Sequence, residues 1–382
     1  MKLLKKFIKW FFGIILILVA LLYITDYGYI LKGVRVVYLT GHVTAYIDDH
    51  PYFENVEIEA SVSPQPWPTH AAYNKVPATQ YLSETNERLG TVAFLIIKND
   101  SLWFEQYSDG YNRESQTNSF SMAKSITSAL LGKAIKNGYI KSLDQPIGDF
   151  YEQYKDSKTT VGDLSSMASG LDWDESYKSP FSVTARSYYD DDLGETILNQ
   201  KVTEAPGESF KYLSGSTQLL GMLIEKATGK KLAGYLSESF WKPMGAEHPA
   251  LWQVDDAENK VAKAYCCIAS NARDFARFGK LYKDFGRWNG QQLIDSSFVA
   301  TSIKPRFASS PEYGYGFWLS DHLDKELFVM RGILGQYVIV SPSDNVIIVR
   351  LGHQRGGNAG RPMSDDFYIY VEEAFAMLAS EN

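Results

Sequence analysis

Cysteine is nearly missing. Among 382 residues there are two, Cys266 and Cys267, and they are neighbours. Adjacent cysteines offer neither a disulfide framework nor the spaced pairs that hold zinc, so both read as small buried residues. Six scattered histidines include no H-E-x-x-H, so neither a metal site nor any other cofactor is expected. Surplus basic charge is missing too: the formal net charge of −7 leaves no electrostatic footprint for nucleic acid. No internal repeat is visible, and nothing in the composition speaks to oligomeric state. What is plentiful is apolar and aromatic side chain, 45% and 14%, enough for one large domain or two medium ones.

The N-terminus, MKLLKKFIKWFFGIILILVALLYITDYG, sets Lys2, Lys5, Lys6 and Lys9 before an uncharged apolar run from Trp10 to Ile24. Counted from Phe7, with Lys9 snorkelling, the run is just long enough to span a bilayer. A cleaved signal peptide is the alternative. Bulky Leu22, Tyr23 and Ile24 stand where small residues should precede a cleavage site, so an uncleaved anchor over residues 1–25 is favoured. The lysines keep the tip in the cytoplasm, which puts the remaining chain on the extracytoplasmic, periplasmic side; with cleavage it would instead be secreted.

Residues 26–85 read as an irregular extension, with SPQPWPTH (63–70) as an extended connector. GTVAFLIIKNDSLWFEQY (90–107) predicts two strands joined at Asn99-Asp100. Helical periodicity and loops dominate from 121 to about 300. Strand patterns return at 313–320, 326–332, 336–340 and 345–351. A final helix from about Asp365 presents Phe367, Val371, Ala374 and Leu378 as one stripe, with Ser364 as its N-cap. Strands, a helical block, more strands and one helix predict an α+β fold: an antiparallel sheet from both chain ends (86–120 and 313–382) with a mainly helical insertion (121–312).

FSMAKSITSALLGKAIKNG (120–138) carries the chemistry. Ser121, Lys124, Ser125 and Ser128 fall on one helix face, opposite Met122, Ile126, Ala129 and Leu130, and Gly138 is a natural stop. A solvated stripe would normally hold several charges of both signs; this one holds one. A serine hydroxyl is a weak nucleophile until a base takes its proton, and a lysine one turn away can reach it. Burial lowers an amine's pKa toward neutrality, and a helix N-terminus favours negative charge on the serine oxygen. A second S-x-x-K, Ser239 to Lys242, ends a helix before Pro243 and needs no catalytic reading. Ser343-Asp344-Asn345 sits in a tight turn between two C-terminal strand patterns and is set aside. Tyr212-Leu213-Ser214, before a helix containing Leu219, Leu220 and Leu223, is the better partner, with Tyr212 as a proton shuttle.

Taken together, S-M-A-K, TVGDLSSMASGLDWDE (160–175), PGESFKYLSG, LLGMLIEKATG, NARDFARFGKLY (271–282), YGYGFW and RGILGQYVIVSP resemble the serine β-lactamase and penicillin-binding-protein superfamily. The resemblance runs from about residue 80 to 380 and is closest to the class C-like branch of esterases and amidases, notably the 6-aminohexanoate-dimer hydrolases. It implies a β-lactamase/transpeptidase-like domain over 86–382 with Ser121 as nucleophile, Lys124 as base and Tyr212 as acid/base. Ser214 becomes a hydrogen-bonding neighbour. The backbone N–H groups of Ser121 and Ile333 would form the oxyanion hole, and Gly332 would let the substrate backbone approach the strand.

Two departures from the family pattern matter. Ser214 replaces the usual Asn, and Met330-Arg331-Gly332 replaces K-T-G, removing a cation that helps hold a substrate carboxylate. Small uncharged esters or short amides become the expected substrates. A D-alanyl-D-alanine carboxypeptidase, a weak β-lactamase and a catalytically silent cell-envelope binding protein remain as alternatives. Asp172, Trp173 and Asp174, with SYYDDD (187–192), are candidates for lining the cleft, where acids would suit an amine-bearing substrate; solvated loops are the equal alternative.

Overall fold

The computed structural model describes residues 1–43 and 45–380. Helix α1 (Lys2–Ile24) buries none of its residues, and its mean hydropathy of 2.5 qualifies it as a candidate span or a signal sequence. The extension that follows is not irregular. It contains helix α2 (Tyr29–Thr40), strand β1 (Asn55–Ile58) and helix α3 (Gln80–Arg88). Each gains its stability from a distant partner, which a local pattern does not reveal. Tyr29, Gly33 and Val36 of α2 are buried against later segments, and β1 pairs antiparallel with β5 (Ala250–Gln253).

Strands β2 (Thr91–Lys98) and β3 (Ser101–Tyr107) form the expected hairpin, with Asn99 and Asp100 both at positive φ in the turn. Strand β4 (Thr117–Asn118) leads into helix α4 (Met122–Lys136), and β6 (Ile268–Ser270) joins β1, β5 and β4 in a four-stranded sheet ordered β1-β5-β6-β4. A small hairpin, β7 (Arg287–Trp288) and β8 (Gln291–Gln292), stands apart. Strands β9 (Trp318–Ser320), β10 (Leu327–Gly332), β11 (Gln336–Ser341) and β12 (Val346–Gly352) complete a six-stranded antiparallel sheet ordered β3-β2-β12-β11-β10-β9. The early and late parts of the chain therefore meet inside this sheet, where β2 pairs with β12.

Both faces of this sheet are covered, so its strands read as apolar runs. Leu95, Ile97, Met330, Val338 and Val349 pack in the core that contains α4; Phe94, Ile96, Val329, Ile339 and Ile348 pack with the C-terminal helix Asp365–Ala379. That helix buries Phe367, Val371, Ala374 and Leu378, as its stripe predicts. Two local expectations differ in detail. Ser364 stands at the N-cap but makes no side-chain cap bond, because its hydroxyl is engaged with the Tyr337 phenol at 2.8 Å. The strand expected over 313–320 shortens to 318–320, since Gly314 runs hard against the Ser302 carbonyl.

Candidate active site

Four segments converge on the start of α4. From β4 the chain turns through Phe120, held at φ +44, an uncommon conformation for a bulky residue. Ser119 fixes this turn by bonding Ile268 in both directions, 2.7 Å through its N–H and 3.1 Å through its hydroxyl. Ser121 then occupies the N-cap of α4 without a side-chain cap bond, leaving its hydroxyl free for other partners. The polar stripe is no solvated face: Lys124, Ser125 and Ser128 are buried. Ser125 donates to the Gly316 carbonyl at 2.5 Å and Ser128 to the Tyr315 carbonyl at 2.8 Å, locking the helix to the loop before β9.

Lys124 is 2% exposed and its Nζ has three oxygen partners: Ser121 Oγ at 3.1 Å, Ser214 Oγ at 3.1 Å and the Tyr265 carbonyl at 2.9 Å. Burial brings its pKa down to about 8, while the Glu175 carboxylate pulls it back up. The Tyr212 ring lies 5.0 Å from the amine. Burial raises the Tyr212 pKa, opposed by a hydrogen bond with Ser121 and by the charge of Arg331. An aromatic wall holds the phenol, with ring centroids of Trp318 at 5.5 Å and Tyr313 at 6.2 Å. The Ser121–Lys124 and Tyr212–Ser214 pairs, far apart in sequence, thus form one cluster.

Glu175 completes it, a residue that the sequence reading passed over. Its carboxylate accepts from both the backbone N–H and the hydroxyl of Ser214, each at 2.6 Å, and from the Tyr177 phenol at 2.5 Å. The D-W-D-E segment was the right place, but the neighbours singled out in it face elsewhere. Asp172 exchanges hydrogen bonds with the Lys201 backbone, 2.9 and 2.8 Å. Asp174 accepts from the Ser176 N–H at 3.0 Å. Trp173 is buried against Gly215, where a Cβ would sit 2.4 Å from the indole. The acids of SYYDDD are engaged as well: Asp190 with Arg186, Asp191 with Lys32, and Asp192 as an N-cap accepting from Glu195 N–H.

On the other side, Gly332 ends β10 and Ile333–Gly335 form one tight turn. Gly332 leaves no room for a side chain: a Cβ there would meet the Ser119 carbonyl at 2.3 Å. Buried Gln336 donates to the Ile333 carbonyl at 3.3 Å, and buried Arg350 to those of Leu334 and Gly335 at 2.7 and 2.9 Å. The turn beside Ser121 is therefore held from behind. Met330 points into the core, fully buried, and the Arg331 guanidinium lies over Trp318, 4.7 Å from the ring centroid. Cys266 and Cys267 are buried as expected, but bonded to each other, immediately after the Tyr265 carbonyl that contacts Lys124. Among the described residues no group of three or more His, Cys, Asp or Glu is placed to hold a metal.

A protein-family model named Beta-lactamase matches residues 78–371. The chain belongs to the beta-lactamase family. Among curated members it is 24% identical to the 6-aminohexanoate-dimer hydrolase of Paenarthrobacter ureafaciens over 71% of this chain and 74% of that one. It is also 24% identical to Protein flp of Staphylococcus aureus, over 45% of this chain and 37% of that one. Among solved structures it resembles a putative 6-aminohexanoate-dimer hydrolase from Bacillus anthracis, with a TM-score of 0.72 and 22% identity over 87% of this chain and 92% of that one. It also resembles the D-amino acid amidase of Ochrobactrum anthropi, with a TM-score of 0.59 and 15% identity over 78% of this chain and 96% of that one. This member of the beta-lactamase family is a hydrolase with the β-lactamase/transpeptidase-like fold.

Proposed function

We propose that the protein is a membrane-anchored serine hydrolase that cleaves small, uncharged esters or short amides through an acyl-enzyme on Ser121. The three-partner environment of the Lys124 amine carries this reading. A neutral amine has two N–H donors and one lone pair. The Tyr265 carbonyl can only accept. Ser214 also accepts from the lysine, because its own proton is committed to Glu175. Those two oxygens take the two N–H groups, and the lone pair is left for the Ser121 hydroxyl.

In the first step Lys124 takes the Ser121 proton as Oγ bonds to the carbonyl carbon, and the carbonyl π electrons move onto oxygen. The backbone N–H groups of Ser121 and Ile333 receive this oxyanion. Tyr212 protonates the leaving alcohol or amine, regaining a proton from Lys124, and the acyl-enzyme remains. Water enters by the reverse route: it loses a proton to the Lys124–Tyr212 pair, adds to the acyl carbon, and Ser121 leaves with its proton restored. Uncharged substrates are favoured because Met330 is apolar and buried where the family carries a cation. A second reading, cleavage of carboxylate-bearing substrates, draws on Arg331, whose charge reaches Tyr212.

Treatment of the folded protein with a fluorophosphonate probe tests the first reading. Labelling should be stoichiometric and vanish in Ser121→Ala; absence of labelling overturns it. Comparing nitrocefin with short-chain p-nitrophenyl esters separates the two substrate classes.

A further inference from the structure

Helix α2 is clamped onto the segment that carries Glu175. The Tyr29 phenol donates to the Pro180 carbonyl at 2.8 Å, Lys32 pairs with Asp191 at 2.5 Å, and Gly33 lets Tyr189 approach so closely that a Cβ would sit 3.3 Å from its ring. Arg186 reaches back to the Asp26 carboxylate at 2.7 Å, and the Tyr27 ring meets Phe181 edge-on at 5.3 Å. One continuous stretch therefore links the catalytic cluster to the end of α1. Glu175 holds Ser214, Tyr177 holds Glu175, and Pro180 and Phe181 hold the residues that follow α1.

Among the described residues the opposite face of α2 is exposed. Val34 is 60% exposed and Tyr38, one turn on, 86%; Leu39 lies beside them, and Phe181 is 61% exposed. Exposed Arg35 accompanies this apolar face, while Lys32 turns away from it to Asp191. Its occupant follows from chain continuity. Only residues 25–28 separate the last residue of α1 from the first of α2. That link folds back on α1: the Tyr27 N–H bonds the Leu22 carbonyl at 2.7 Å and a Cβ on Gly28 would sit 3.1 Å from the Tyr23 ring, so an anchored α1 leaves the start of α2 at the depth of the headgroups. Tyrosine and aliphatic side chains beside a basic one suit that layer.

We propose that the exposed face of α2, together with Phe181, lies in the headgroup layer of the membrane that α1 spans, and that this holds the 175–181 segment at the bilayer surface, where the enzyme draws amphiphilic esters or amides from the membrane. The proposal rests on the anchored serine hydrolase reading above. It adds to that reading an orientation, and it widens the substrates from small esters and short amides to amphiphilic ones, whose scissile bond sits near a headgroup and whose tail stays in lipid.

The test uses the full chain in phosphatidylcholine vesicles. Because the native cysteines are bonded to each other, single cysteines at Val34→Cys and Tyr38→Cys take an environment-sensitive fluorophore selectively. Tyr81→Cys, on α3 at the other face of the main sheet, is the control. Spin-labelled lipid should quench the probes at 34 and 38 and spare the one at 81; equal quenching at all three overturns the proposal. The double variant Val34→Asp, Tyr38→Asp should keep its rate on soluble p-nitrophenyl acetate and lose about fivefold on p-nitrophenyl palmitate dissolved in the vesicles. No loss, or the same loss on both esters, overturns the substrate class. A mature chain whose intact mass lacks residues 1–25 overturns the anchor and this proposal with it. Failure of Ser121 labelling instead removes the hydrolase reading and leaves the quenching result standing.

Discussion

Glu175 grips Ser214 twice, through the backbone N–H and the hydroxyl, each at 2.6 Å. This contact fixes the direction of every hydrogen bond around Lys124, because a serine whose proton is already given to a carboxylate can only accept from the amine. It also supplies a polar anchor where the family usually has Asn and this chain has the shorter Ser214.

Burial brings the Lys124 pKa down to about 8, and the same carboxylate opposes that shift. As the proposed base, Lys124 is competent only when neutral. Turnover per substrate encounter should therefore rise about tenfold per pH unit below 8 and level off above it. Glu175 favours the ammonium form, so Glu175→Gln should move the rising limb to lower pH while lowering the plateau. A pH–rate profile of kcat/KM checks both; a limb shifted upward contradicts the electrostatic role.

Burying the amine costs stability, and the sign can be worked out. Lys124 holds its proton less tightly folded, at about 8, than unfolded, at 10.5. Between those values the unfolded chain binds more protons, so stability rises with pH across that window. At about 1.4 kcal/mol per tenfold change in proton affinity, the rise is roughly 3 kcal/mol. Lys124→Met should abolish this component and lose roughly a thousandfold or more in rate. Urea denaturation of both proteins at pH 7.5 and pH 10.5 measures the difference.

Tyr212→Phe keeps the ring against Trp318 and Tyr313 and removes only the phenol. Because burial raises the phenol's pKa, it is protonated at neutral pH, and in the proposed mechanism it donates that proton to the leaving group. The rate should fall by about 10²–10⁴ with stability little changed. The loss should be larger for amides than for p-nitrophenyl esters, whose leaving group needs no proton. Parallel assays on the two substrate types check this.

Gly332→Ala tests the fit between β10 and the nucleophile turn. The new Cβ would sit 2.3 Å from the Ser119 carbonyl, an atom of the backbone that presents Ser121. Destabilisation of about 1–3 kcal/mol is expected, with a fall in kcat beyond what the folded fraction explains. Thermal melts alongside active-site titration separate the two effects.

Much of the fold lies in local pattern. The β2–β3 hairpin, the C-terminal strands and the last helix each bury enough side chain in a period of two or 3.6 to declare themselves. The extension between α1 and β2 does not, because α2, β1 and α3 depend on partners far along the chain; β1 pairs with β5 across almost two hundred positions. Nothing in residue type separates Glu175 from Asp172 and Asp174. Which of four adjacent side chains turns inward depends on a loop path set by Lys201, Ser176 and Gly215.

The amino-acid sequence by itself determined the chemistry on offer: a serine and a lysine one helical turn apart, a tyrosine ahead of a second helix, and an apolar N-terminal helix behind basic residues. Periodicity and short motifs carry such information because they act over a few residues. Only the tertiary structure decided which oxygens surround the amine, that Glu175 rather than its neighbours orients Ser214, and that α2 is bound to the Glu175 segment. Those contacts join residues tens to hundreds of positions apart, and their geometry follows from the packing of the whole chain.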